Sequence, residues 1–404
     1  MAAEQVAPAR PAAEQRRRLD HVDAMRPIKQ AGVVSTHTLL FFAPVASLAV
    51  TGSLMLLHVT REAFLFISAC MLTYSYGALT RGGYLHFYRR RTVSVAIPYL
   101  VWTAIYFAVT LHSLGASGWA VPGHFAYLVA TGYYQLYYLL VIMEFYLLFP
   151  LLLLLVRRTA GHHGVLLLAS LVAQVSLVSL MHWNVLPPAL RGFWATREVL
   201  SYQFYLLAGM VVALHLDDVH LWLRAHVRLV LGATVLTAAL AEVWVVLADH
   251  HVAWTGSSSD PLQPVVIPFN IAAIASIYLL GVFLVSKRRS TTTRAMVRSG
   301  SDDSYGVYLA QMVFVLALTG LGWQHLDQTI PWPLVSVLTV VVVFGACVAL
   351  TGVLARTPLS VALTGRKRQP WSTWLPERWR RLPPDPRRPA MAVSSPIDPD
   401  PTEP

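Results

Sequence analysis

Apolar stretches of about twenty residues recur along this chain, separated by short polar connections that carry most of its charge. A helix needs roughly 20 mainly apolar residues to cross hydrocarbon. Ten stretches meet that length, at about 31–58, 63–80, 93–112, 136–156, 164–182, 199–216, 229–248, 265–286, 304–323 and 333–355. Residues 124–136 read as an interfacial or re-entrant piece ahead of the fourth. The pattern predicts an all-α, polytopic membrane protein of ten spans.

Composition and charge sharpen that picture. Of 404 residues, 56% are apolar and only 13% charged, against about 25% charged in a soluble domain, which excludes a disordered or ordinary cytosolic protein. Twenty-eight of the 31 Lys and Arg fall in the tails and alternate connections, whereas Arg61, Arg191 and Arg197 fall in the others. That bias predicts an even number of spans with both termini cytoplasmic. It also assigns the net charge of +11 to topology rather than to nucleic acid. Residues 1–25 have no apolar core ahead of a cleavage site and read as a disordered cytoplasmic tail. Residues 366–404 contain ten prolines and read as a second one. Between them, 26–365 form the membrane domain.

Ionisable groups inside spans are costly and therefore candidate functional residues. Arg26 and His37, in RPIKQAGVVSTH, lie eleven residues apart. That is three helical turns, so they share one face about 16 Å apart. If Arg26 marks the cytoplasmic interface, His37 nears the midplane, and Pro27 suits the first turn of the helix. The pair reads either as a base below a guarding cation or as a packing histidine with a topological arginine. Glu144, the one acid in YYQLYYLLVIMEFYLLFPLLLLL, could orient an imidazole, carry a proton or hold helices together. Arg89, Arg90 and Arg91 could bind phosphates of a nucleotide-bearing cofactor, or anchor topology and anionic lipid. Cys70 and Cys347 sit in apolar runs, and no Cys cluster or HExxH offers a metal site.

In order along residues 24–365, these segments resemble acyltransferase family 3, the integral-membrane O-acyltransferases of surface glycans and related acceptors. Arg26 with His37 matches that family's Arg-x10-His signature. FLFISACMLTYSYG, with Ser68 and Tyr74, is similar to its second-span pattern, and FYRRRTVSVAIPYLVW to its basic loop and third span. The block containing Tyr146 is similar to its fourth span, and SYGVYLAQ, with Ser304, Tyr305, Tyr308 and Gln311, to a late block. Gln135 and Gln311 stand at common histidine positions, Val95 where many members have a second Arg, and Glu144 where relatives often have Gln.

The resemblance implies an acyl-CoA-dependent enzyme that moves an acetyl or succinyl group to a hydroxyl of a carbohydrate or glycan precursor. His37, Arg26 and Glu144 would be catalytic. Arg89, Arg90 and Arg91 would hold the cofactor, and the Ser68, Tyr74, Tyr146 and late-block residues would lend support. Its partners would be the bilayer, acyl-CoA, the acceptor, and a homo-oligomer or an extracytoplasmic protein. The departures leave open altered or lost activity. A transporter or flippase for a glycan or lipid-linked intermediate is the rival reading, and a non-catalytic scaffold the third.

Overall fold

The structure, a computed structural model, describes residues 19–44, 47–77, 81–111, 120–190, 193–252, 255, 260–286 and 290–371. It is all-α, with no strand among the described residues. The helices are α1 Asp20–Phe42, α2 Leu48–Leu57, α3 Val59–Tyr76, α4 Tyr84–Arg91, α5 Ile97–Thr110, α6 Ala120–Thr131, α7 Tyr137–Arg158 and α8 His163–His182. They continue with α9 Gln203–Leu214, α10 Leu216–Ala225, α11 Val227–Asp249, α12 Val266–Leu284, α13 Thr291–Gly320, α14 Trp332–Leu354 and α15 Ser360–Thr364.

Among the described residues, seven helical runs are long and apolar enough to cross a membrane. Counted as one broken span, the run starting at Val199 and α10, bent by 98°, make an eighth. These runs match eight of the ten predicted stretches. The two remaining stretches belong to α1 and α13, which at 23 and 30 residues are long enough but too polar to pass. Both are packed inside. α1 lies against α3, α12, α13 and α14, and its polar residues Asp23, Lys29 and Gln30 are buried. By contrast α8 and α11 turn Leu168, Val172, Val235 and Leu236 outward, as suits a surface whose solvent is lipid.

The first two boundaries also change. Helix α1 stops at Phe42, short of Pro44, which lacks the amide that would continue it, and Leu48–Tyr76 runs on as one 29-residue span. Arg61 is therefore inside a span and not in a connection. Helix α1 begins at Asp20, so Pro27 is in its interior rather than in its first turn, and packs beside Gly300 of α13. The helix midpoint falls near residue 31. His37 lies about 9 Å beyond it, and Lys29 is the ionisable residue close to the middle.

Two close approaches fix the helices around the site. A Cβ on Gly209 of α9 would come within 2.3 Å of the Phe66 carbonyl oxygen of α3, and one on Gly32 of α1 within 2.4 Å of the Thr60 methyl. Helix α6 forms a piece of its own before α7. Between them Gly132 takes a left-handed φ of +79°, and this break brings Gln135 into the core, 3% exposed.

Candidate active site

Two cavities lie along α1. The first, about 480 Å³, is at the end of the bundle where α1 begins, and Arg26, Ser68, Arg90, Arg91, Tyr146, Ser301, Asp302, Ser304, Tyr305 and Arg366 are among its lining residues. The chain leaves α4 through a π-helical turn at Thr92–Ala96, a local widening common at functional sites. Ser94 and Val95 of that turn are in the wall. The Arg91 guanidinium lies 5.3 Å from the Tyr76 ring and 5.4 Å from the Tyr146 ring, within cation–π range. Arg26 is 3.4 Å from the Asp23 carboxylate. Arg366 donates to the Asp302 carbonyl at 2.6 Å and approaches the Asp302 and Asp303 carboxylates at 3.7 and 3.6 Å. It is brought there by Gly365, whose φ of +67° and contact with the Ser94 carbonyl and Tyr305 ring leave no room for a Cβ.

The second cavity, about 280 Å³, contains His37 in its wall, with Lys29, His58, Arg61, Phe64, Gln135, Tyr137, Tyr138, Thr196 and Tyr308 among the other lining residues. His58 is the joint between α2 and α3. Arg61 is 9% exposed and bonded through Nη2 and Nε to Glu62 at 2.8 and 3.2 Å. Nη2 also donates to the Pro261 carbonyl at 2.9 Å, and Tyr138 Oη donates to the Arg61 carbonyl. Gln135 donates to Tyr106 Oη at 3.1 Å and to the Tyr308 carbonyl at 3.2 Å, while Tyr308 Oη donates to the Gln135 carbonyl. This network holds the wall formed by Gln135 and Tyr308. Among the described residues no hydrogen bond restrains the His37 ring.

Lys29 and Phe64 line both cavities. The ammonium sits 3.7 Å from the Phe64 ring centroid, with 4% of the residue exposed and no ion pair to a described residue. The two cavities therefore meet at one cation lying on one ring.

The sequence-selected residues divide accordingly. Arg26, Ser68, Arg90, Arg91, Tyr146, Ser304 and Tyr305 line the arginine cavity, and His37 and Tyr308 the histidine cavity. Arg89, Tyr74, Glu144 and Gln311 line neither. Arg89 is exposed, on the outer side of its helix. Glu144 accepts the Val199 amide at 2.9 Å, which fastens the turn before α9 and does not orient His37. Gln311 is fully buried. Tyr76, not Tyr74, faces Arg91.

Four residues escaped the sequence reading. Lys29 was counted with the topological charges, and Arg61 as a connection. Yet HVTRE sits between apolar runs with no Gly or Pro to turn the chain, which is the signal for an in-span ion pair. His58 had no distinguishing pattern. Arg366 was assigned to the tail, but 366–371 return to the bundle, where Arg368 and the Gln369 amide bond the carbonyls of Arg356 and Ala355.

The family model described as "Acyltransferase domain", acyltransferase family 3, matches residues 20–352. The chain belongs to this family. No curated protein and no solved structure matches it. This membrane acyltransferase thus starts its family match at the first residue of α1, and the match encloses every lining residue of both cavities except Gly365 and Arg366.

Proposed function

We propose that the protein moves a short acyl group, acetyl or succinyl, from acyl-CoA to a hydroxyl of a carbohydrate or surface-glycan precursor. The arginine cavity takes the donor from the cytoplasm, the side that the charge bias assigns to that end. Arg26, Arg90, Arg91 and Arg366 meet the phosphates of CoA, for which planar guanidinium groups are suited. The thioester arm passes Lys29 and Phe64 toward His37, and the acceptor enters the histidine cavity from the opposite face.

There the acceptor oxygen attacks the thioester carbonyl carbon as its proton passes to a ring nitrogen of His37, acting as general base. The C–S bond then breaks, the acyl group stays on the acceptor as an ester, and the thiolate leaves to be protonated as free CoA. Placing both substrates around a fixed imidazole supplies the orientation that such a two-substrate reaction needs. The observation that carries this reading is the shared wall. A phosphate-compatible cavity and a histidine cavity meet inside the membrane domain, with only Lys29 and Phe64 common to both.

The test is direct. Purified protein in detergent, given acetyl-CoA or succinyl-CoA and a glycoside acceptor, should release free thiol and form one acyl ester per thiol. Absence of thiol release from either donor overturns the reading.

A further inference from the structure

The histidine cavity has a charge pattern that a neutral sugar does not require. Lys29 and Arg61 line it together with two imidazoles, His37 and His58, and no carboxylate is among its lining residues. The neighbouring acids are engaged. Glu62 holds Arg61, and Asp260 binds His182 at 3.1 Å. The Glu62 bond occupies Nε and Nη2 of Arg61 and leaves Nη1 without a hydrogen bond to a described residue. Lys29 has the ring faces of Phe64 and Tyr308 near its ammonium and no ion pair to a described residue. A third cation, Arg197, lies 4.6 Å from the ring of Tyr137, itself a lining residue. A buried cation without a counter-ion carries an uncompensated desolvation cost, which an anionic ligand removes. Aromatic rings in the same wall offer flat faces to a sugar ring.

We infer that the acceptor is an acidic sugar, whose carboxylate or phosphate lies between Arg61 and Lys29 while one of its hydroxyls faces His37. This rests on the acyl-transfer reading above. It assigns the two cations to acceptor recognition, a positioning task, and leaves proton removal to His37.

Matched acceptors test it: octyl glucuronide, octyl glucoside 6-phosphate and octyl glucoside, each with acetyl-CoA, following ester formation. The wild-type protein should prefer at least one acidic acceptor over the neutral one in kcat/KM by about tenfold or more, the scale of one charge-assisted contact. Whichever acid is preferred identifies the group. Lys29→Met, compared at matched thermal stability, should lower that preference through KM, and Lys29→Arg should retain more of it than Lys29→Met. Equal use of acidic and neutral acceptors by the wild type overturns the inference while leaving the transferase reading standing. So does a selectivity that follows the donor, with succinyl-CoA favoured over acetyl-CoA whatever the acceptor, because the cations would then serve the acyl group. No thiol release with any pair is the separate failure of the reading itself.

Discussion

The two cavities hold their cations in different ways. In the arginine cavity, Arg26 and Arg366 are about a third exposed and paired with Asp23, Asp302 and Asp303 at 3.4–3.7 Å. The Arg366–Asp302 pair, about a third exposed on both sides, is of the kind that contributes only about 0–1 kcal/mol, so an arriving phosphate can take over that guanidinium at little cost. In the histidine cavity, Arg61 is buried against Glu62 at 2.8 Å, with Pro261 and Tyr138 bracing it. Breaking a buried pair by removing one partner costs about 3–5 kcal/mol. That cation is part of the frame. One cavity is built to exchange partners and the other to keep its shape, which suits the proposed release of CoA at one end and orientation of a hydroxyl at the other.

The division can be broken most sharply at His37. His37→Ala should reduce thiol release from acyl-CoA by about 10²–10⁴-fold with CoA affinity nearly unchanged. A simultaneous loss of CoA binding would place His37 with the donor and erase the distinction between the cavities. Next in size is a contrast within one helix. Arg91→Ala, which removes a lining guanidinium, should weaken CoA binding by about 10–150-fold, while Arg89→Ala, on an exposed side chain, should change it little. Equal losses at both positions would reduce the triplet to a diffuse charge.

A third substitution probes the wall. Gly32→Val drives a side chain into Thr60, whose methyl cannot swing away without losing the 2.9 Å bond from its hydroxyl to the Leu57 carbonyl. Overpacking should lower stability by about 1–3 kcal/mol, read as a lower thermal midpoint. By parting α1 from α3 near Lys29 and Phe64, it should also raise acyl-CoA hydrolysis without acceptor. The smallest effect is expected at Glu144. Glu144→Gln keeps an oxygen to accept the Val199 amide, so turnover should stay within about threefold, the range of a change away from a site. A large loss there, with folding intact, would bring Glu144 into the chemistry.

Much of the fold was legible because lipid-facing helices must be apolar, and eight of the ten stretches correspond to runs apolar enough to span. The others hid for one physical reason. A helix surrounded by other helices does not need an apolar surface, so α1 buries Asp23, Lys29 and Gln30, and α13 buries Ser301, Ser304 and Gln311, where a lipid-exposed helix could not. The same reason hid half of the site. A charge inside a span looks in sequence like the end of a span, and so Arg61 reads as a connection and Lys29 as one of the charges ahead of the first span. His37, Arg91, Ser304 and Tyr305, singled out by resemblance to the family's patterns, line the two cavities. Glu144 and Gln311, selected by the same kind of argument, line neither cavity.

The polarity of α1 also sets an order of assembly. Its neighbours α12, α13 and α14 lie up to roughly 300 residues later in the chain, and one of the contacts that seat it joins Asp20 to Arg298 at 2.7 Å. At about 5–20 residues per second, a ribosome takes on the order of 15–60 s to supply those neighbours after α1 has emerged. For that interval the helix that carries His37 has polar groups that lipid cannot satisfy. It must wait at the interface, or beside helper proteins, until the last third of the chain arrives to bury it. The two cavities are therefore among the last parts of the molecule to form, and a nascent chain stalled before α13 has neither of them.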